Sequence, residues 1–332
     1  MIIHLKSQVD QDAAAALASQ IGAIHLTDGA QQILVTSSKV QDIPEAAQAS
    51  AEKSWTFAND LQLASREYRT ETRSITIGDV AIGGNTGHTV MMTGPCSVES
   101  REQLETSAQL CKELDIKILR GGAYKPRTSP YSFQGLGLEG LQLLAEMRKK
   151  HGLRIVSEVR DATHVDHVIE HADIIQVGAK AMYDHGILRA CGKARKPVLL
   201  KRGFGTTLQE FAQAAEFILS GGNPDVMLCE RGIRTFETKT RFTLDLCGVS
   251  FLKAHTNLPI ILDPSHAMGH RYGVPDLTRA CVAMGIDGLL IESHPNPAVA
   301  KSDAAQQLDH NAFRDLYGSL APIAAAVGRK II

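Results

Sequence analysis

Eight apolar segments recur along the chain from residue 90 onward, and a stretch of helical period follows each one. They are Val90–Met92, Lys117–Leu119, Arg154–Val159, Ile174–Val177, Val198–Lys201, Val226–Cys229, Ile260–Asp263 and Gly288–Glu292. Short apolar runs alternating with helices predict parallel strands joined by crossover helices. Eight such units in about 240 residues match the size of a (β/α)8 TIM barrel, which makes the chain α/β in class. A doubly wound open sheet is the alternative. It usually has fewer units and a glycine-rich phosphate turn after its first strand.

The first sixty residues follow a different rhythm. Ile2–Leu5 reads as a strand, Asp10–Ile21 as a helix, and Ala23–Leu26 and Ile33–Thr36 as strands around the turn Asp28-Gly29. Ile43–Lys53 reads as a second helix and Ser54–Ala58 as a last strand. This β-α-β-β-α-β order predicts a small α+β ferredoxin-like domain over 1–60, too small for the chemistry and suited to regulation or assembly. Residues 61–73 read as a polar linker. The hairpin Ser74–Ile77/Val80–Ile82, turning at Gly78-Asp79, opens a barrel domain over 74–332.

Chemically able residues fall at the strand ends. Strand one leads to Cys96, two to Arg120 and Lys125, three to Glu158 and four to Lys180. Five leads to Lys201 and Arg202, six to Glu230 and Arg231, seven to Asp263 and His266, and eight to Glu292 and His294. In a (β/α)8 barrel these ends meet on the one face where active sites lie. Cys96, His266, Glu292 and Asp303 then form a mixed soft and hard donor set for a divalent metal such as Mn, Fe, Co or Zn. Pro95 and Pro264 fix the loops before Cys96 and His266. Taken singly, each has a bland explanation: a buried Cys is usually a small hydrophobe.

The segment Leu119-Arg120-Gly121-Gly122-Ala123-Tyr124-Lys125-Pro126-Arg127-Thr128-Ser129 packs cations and hydroxyls onto a backbone constrained by two glycines and a proline. Arg120, Lys125, Arg127, Lys180, Lys201 and Arg231 all lie at or just beyond strand ends. Such a set repels itself unless anions neutralise it, and two phosphates with a carboxylate would do so. Arg202, Arg234 and Lys239 are assigned to surface charge or structural ion pairs. Gly135-Leu136-Gly137-Leu138-Glu139-Gly140 matches a dinucleotide fingerprint, but no strand precedes it. His164, His167 and His171 share one helical face, read as solvated.

The motifs Gly94-Pro95-Cys96-Ser97-Val98-Glu99-Ser100, Leu119 through Gly135, Cys229-Glu230-Arg231-Gly232 and Asp263-Pro264-Ser265-His266-Ala267 resemble those of type I 3-deoxy-D-arabino-heptulosonate 7-phosphate (DAHP) synthases. The resemblance is to the branch shared with 3-deoxy-manno-octulosonate 8-phosphate (KDO8P) synthases and runs from about residue 60 to the end. It implies condensation of phosphoenolpyruvate with erythrose 4-phosphate, releasing phosphate, as the first step of the shikimate pathway and of aromatic amino acid biosynthesis. It places Cys96, His266, Glu292 and Asp303 at the metal. Arg120, Lys125, Lys201 and Arg231 fall on phosphoenolpyruvate, and Arg127 and Thr128 on the aldose phosphate. Cys96, His266 and Lys125 are the catalytic set it implies, with Lys125 passing a proton to the new alkoxide. The family usually has Arg at Lys180 and Gly at Ala304. The amino-terminal unit resembles a regulatory domain that binds aromatic amino acids, with His25 and Thr27 as its effector residues. The resemblance therefore implies feedback inhibition by Tyr or Phe and a homo-oligomer, dimer or tetramer.

Two alternatives follow. A KDO8P synthase would use arabinose 5-phosphate, but that family tends to carry Lys-Ala-Asn-Arg where this chain has Lys125-Pro126-Arg127-Thr128. A non-catalytic amino-acid-binding regulator would leave the metal ligands without purpose. A formal net charge of -1 over 332 residues argues against nucleic-acid binding. No apolar run reaches the roughly 18–20 residues of a membrane span, and the expected location is the cytoplasm.

Overall fold

The computed structural model describes every residue except Pro126, Arg127, Thr128 and Pro130. The amino-terminal elements are β1 (Ile2–Leu5), α1 (Gln11–Ile21), β2 (Ile24–Asp28), β3 (Gln31–Val35), α2 (Glu45–Gln48) and β4 (Ala51–Trp55). Their sheet is antiparallel in the order β2-β3-β1-β4, the ferredoxin-like arrangement. Asp10 caps α1 by accepting from the Ala13 N–H, and Gly22 closes it in a left-handed conformation. The second helix is shorter than its sequence suggests. Ala51–Lys53 is instead drawn out as strand by pairing with β1, a partner remote in sequence that local periodicity cannot register.

Alternation along β1 divides its side chains. Met1, Ile3 and Leu5 pack under the two helices, whereas Ile2 faces Phe57, Leu63 and the barrel. Residues 61–73 lie clamped between sheet and barrel. The Glu216 carboxylate accepts the backbone N–H groups of Gln62, Leu63 and Ala64 at 2.7–3.1 Å. Arg73 and Asn257 tie the same stretch through Leu63 and Ser65 carbonyls.

The hairpin β5 (Ser74–Ile77) and β6 (Val80–Gly83) precedes eight parallel strands: β7 (His88–Gly94), β8 (Ile118–Arg120), β9 (Arg154–Val159), β10 (Ile174–Val177), β11 (Val198–Lys201), β12 (Val226–Glu230), β13 (Ile260–Leu262) and β14 (Gly288–Glu292). They pair in sequence order, and β14 pairs with β7 to close the barrel. The intervening helices are α3 (Arg101–Glu113), α4 (Leu138–His151), α5 (Val165–His171), α6 (His185–Lys193), α7 (Leu208–Ser220), α8 (Leu246–His255), α9 (Pro264–Met268) and α10 (Val274–Ala283). The chain ends with α11 (His310–Gly318), α12 (Ala321–Ala326) and β15 (Lys330–Ile331), the last of which joins the start of β7.

Two nested cores follow from the period of two. Val90, Met92, Ile118, Val156, Ile174, Leu199, Met227, Ile261 and Leu290 fill the barrel, and Ile75, Ile77, Val80 and Ile82 of the hairpin plug its lower end. Their neighbours Met91, Leu119, Ile155, Ile175, Leu200, Leu228, Leu262 and Leu289 face the helices. Arg154, at the start of β9, reaches Asp79 in the hairpin turn, which marks that end as the strands' amino-terminal one.

Glu216 generates a test of the clamp. Burial pushes its carboxyl up to about 7 against the pull of the three N–H donors and Arg73. A group raised in the folded state stabilises fully below its ordinary 4.5, and that stability is lost as pH rises through 7. Glu216→Gln removes one acceptor oxygen, so we expect it to cost about 1–3 kcal/mol near neutral pH. It should also flatten the melting-temperature profile between about pH 5 and 8. Thermal unfolding across that range checks both.

Candidate active site

The interior parity of seven of the eight strands continues past the core into polar side chains, all but Gln176 of them ionisable. Two residues beyond Ile118 stands Arg120, beyond Val156 Glu158, and beyond Ile174 Gln176. In the same way Leu199 leads to Lys201, Cys229 to Arg231, Ile261 to Asp263 and Leu290 to Glu292. Residues i and i+2 share a face of a strand, so the side chains that fill the barrel below are replaced by charge at its carboxyl-terminal mouth. A cavity of about 350 Å³ opens there, with Lys125, Lys180, Lys201, Arg231, His266 and Asp303 on its walls.

At its base, one donor atom each from Cys96, Glu292 and Asp303 lies within 4.8 Å of the others. Cys96 Sγ is 3.2 Å from Asp303 Oδ2, and Lys125 Nζ donates to the same sulfur at 3.2 Å. His266 Nε2 approaches Glu292 Oε1 at 3.4 Å, while its Nδ1 lies 2.7 Å from Asp263 Oδ2. A carboxylate on Nδ1 fixes the ring orientation and leaves Nε2 to face the site. Burial lowers the His266 pKa despite Asp263 and Glu292, so the imidazole is offered neutral, as a metal requires. Asp263, at the end of strand seven, orients a ligand and does not itself face the centre.

The charges at the base are held by burial and by pairing together. Burial, helped by the Glu292 charge, pushes the Cys96 thiol up to about 12. Burial also opposes ionisation of Asp303, yet His266, Arg241 and Lys125 bring it down to about 2. The thiol and two carboxylates gathered here, with the His266 imidazole beside Glu292 but outside that close group, fit a divalent transition metal, which would supply the positive charge that deprotonates the sulfur.

Arg120 is buried and does not line the cavity. Its Nη1 donates to Glu292 Oε1 at 2.7 Å and to the Pro95 carbonyl at 2.8 Å. Lys201 Nζ donates to Asp263 at 2.5 Å. Arg231 lies over the Phe242 ring, with Nη1 buried and without a partner among the described residues. Lys180 is exposed on the wall. Arg127 and Thr128 lie outside the described residues.

Of the remaining assignments, Arg202 keeps the structural role read from the sequence, and others change. Arg202 is a structural cation, bonded to Glu230 at 2.9 Å and Asp245 at 2.8 Å. Arg234 instead lines the cavity above Phe204, and Arg241 lines it beside Asp303. The histidine face on α5 is not simply solvated. His164 stacks on Tyr124 at 4.0 Å, and His167 Nδ1 meets the Tyr124 hydroxyl at 3.1 Å, anchoring the residue before Lys125. The Gly135–Gly140 run brings the loop back under Ala123: a Cβ at Gly135 would fall 2.0 Å from the Ala123 carbonyl oxygen. At Ala304 the departure from glycine costs no left-handed strain, because Asp303 itself takes φ 49°. Aspartate is among the side chains that tolerate that region. In the amino-terminal sheet His25 bonds Gln32 at 2.6 Å, and Thr27 is exposed two residues on along edge strand β2.

Gly94 sets the base geometry. Its φ is 145°, and an added Cβ would fall 2.2 Å from the Arg120 carbonyl oxygen. Backbone meets backbone there, so no rotamer change relieves the clash. We expect Gly94→Ala to cost roughly 3 kcal/mol or more and to displace Cys96. Denaturant unfolding and cysteine accessibility measure the two effects. A variant as stable as the parent with unchanged thiol protection contradicts this account.

The model of the DAHP synthetase I family matches residues 49–322. Phospho-2-dehydro-3-deoxyheptonate aldolase of Thermotoga maritima is 47% identical over 270 residues, which cover 81% of this chain and 79% of that one. 2-Dehydro-3-deoxyphosphooctonate aldolase of Thiobacillus denitrificans is 30% identical over 258 residues, or 72% of this chain and 91% of that one. The crystal structure of the Thermotoga maritima DAHP synthase superposes with a TM-score of 0.81 at 39% identity, covering 100% of this chain and 99% of the other. A barrel with these strand-end residues, matched along most of its length, belongs to the DAHP synthetase I family.

Proposed function

We infer that this chain is a 3-deoxy-7-phosphoheptulonate synthase, condensing phosphoenolpyruvate with erythrose 4-phosphate in the shikimate pathway. The observation that carries this is the single cavity where Lys125, Lys180, Lys201 and Arg231 converge beside the Cys96–Glu292–Asp303 donor set. The 47% identity to the Thermotoga maritima enzyme favours the four-carbon aldose over arabinose 5-phosphate, since the octonate relative stands at 30%.

C3 of phosphoenolpyruvate bonds to the aldehyde carbon, water adds at C2, and phosphate leaves from C2. Lys201 and Arg231, with Lys180 on the wall, hold phosphoenolpyruvate and stabilise the charge that develops. Arg127 and Thr128 hold the aldose phosphate. Lys125 Nζ, beside Cys96, gives a proton to the alkoxide formed from the aldehyde. Cys96, His266, Glu292 and Asp303 would hold a divalent metal (Mn, Fe, Co or Zn), which would supply Lewis-acid polarisation of the aldehyde oxygen. Arg120 and Asp263 orient Glu292 and His266.

The ferredoxin-like unit, taken as 1–60 with a connecting stretch 61–73 and a barrel domain 74–332, serves regulation within a homo-oligomer. Its effector is Tyr or Phe, bound near His25 and Thr27. Among the described residues no helix is long and apolar enough to cross a membrane, and a biosynthetic role suits the cytoplasm.

Two measurements test these proposals. Metal-stripped protein should release phosphate from the two substrates only after a divalent cation is restored, and at least about tenfold faster with erythrose 4-phosphate than with arabinose 5-phosphate. Full activity after stripping sinks the metal assignment. Tyr or Phe should inhibit the parent, and His25→Ala should weaken that inhibition about tenfold at unchanged basal turnover. Equal inhibition of both proteins removes His25 from the effector site.

A further inference from the structure

Of the described cavity guanidinium groups without an assigned role, Arg160 is the one with a buried donor that has no hydrogen-bond partner among the described residues. Arg160 follows β9 directly and lines the wall beside Lys180. The pairing of Val159 with Val177 sets Arg160 level with Gly178, two residues from Lys180 on the neighbouring strand end. The absence of a side chain at Gly178 makes room: a Cβ there would fall 2.0 Å from Glu158 Oε1 and 3.1 Å from Arg160 Nη1. One corner of the guanidinium is committed, since Nη1 donates to Glu158 Oε1 at 2.7 Å. Nε is buried with no hydrogen-bond partner among the described residues. The side chain is still 16% exposed, so the group is not sealed into the wall.

A structural ion pair accounts for Nη1 and leaves Nε without an acceptor; the Nε atoms of Arg120, Arg154 and Arg202 share that state, but of these four only Arg160 lines the cavity, where a ligand can reach it. A buried donor without an acceptor costs free energy until a ligand supplies one. The described residues around the cavity include seven Lys and Arg side chains but only Glu158 and Asp303 as acids, so the missing acceptor is anionic.

We propose that Arg160 is a phosphate-binding residue, forming with Lys180 the wall that holds the phosphate monoester of one substrate. Arg160 brings a planar set of donors and Lys180 a point charge, a division that a lysine alone cannot provide. Glu158 is the positioning residue that holds the guanidinium. The proposal rests on the chain being a synthase of two phosphorylated substrates, and variant kinetics tell the two phosphates apart.

The test uses the metal-loaded full chain as parent, Arg160→Lys, Arg160→Met, and Arg160→Met combined with Lys180→Arg. Arg160→Lys keeps a cation against Glu158, which protects folding if the methionine variant unfolds. Both single variants should raise KM about tenfold for one substrate, leave the other KM within about threefold, and weaken competitive inhibition by inorganic phosphate in parallel. The combined variant should recover most of the loss, because a guanidinium returns from the adjacent strand end. Unchanged KM values and unchanged phosphate inhibition in folded variants overturn the proposal, as does a fall in kcat alone. A parent inactive with both substrates would refute the synthase reading instead. Thermal protection by inorganic phosphate, compared between parent and variants, then still decides Arg160.

Discussion

Closure of the barrel between β7 and β14 is the constraint on which the site depends. These strands stand at opposite ends of the barrel sequence, yet Glu292 pairs with Gly94 and Thr93 Oγ1 donates to the Ile291 carbonyl 198 positions away. Pairing fixes Cys96, two residues past Gly94, against Glu292. Asp303 arrives on the loop that follows. No local feature of the chain would hold a thiol and these two carboxylates within one coordination distance. Hydrogen bonds between the first and last barrel strands do so.

Placing so many charges at the mouth of a hydrophobic barrel requires their mutual neutralisation. Arg120 pairs with Glu292, Lys201 with Asp263, Arg202 with Glu230 and Arg160 with Glu158. Glu158 shows the balance: burial opposes its ionisation, yet Arg160 first and Lys125 next bring it down to about 2. Pairs of this kind are weak sources of stability, because desolvation offsets attraction. They fix orientation, which is what a site for two phosphates needs. The near-zero net charge of the chain and the cationic cavity are therefore compatible. The acids that balance the cavity lie mostly in its base and behind its walls.

Much of this was legible without coordinates. Eight apolar runs with helical spacers imply the barrel because period two and period 3.6 are local properties. Ionisable residues at strand ends imply one active face because the topology carries all parallel strands the same way. What escaped detection depended on contacts between distant segments. Arg160 carries no local signal of a role, and only parallel register sets it level with Gly178. Arg234 and Arg241 lie in the loop after β12, where no periodicity says which way a side chain turns. The His164/His167 face looked solvated because Tyr124, its partner, comes from another unit.

The sequence by itself determined the class of fold, the existence of an amino-terminal α+β unit and the residue types available for chemistry. These follow from spacing, turn chemistry and composition, all short-range. Tertiary structure alone decided that Arg120 lies behind Glu292 and not in the cavity, that Arg160 faces the site, and that residues 61–73 are clamped by Glu216. Each is a choice among alternatives of equal local propensity. Such choices are settled by which donor finds a buried acceptor, and that depends on strands brought together from across the chain.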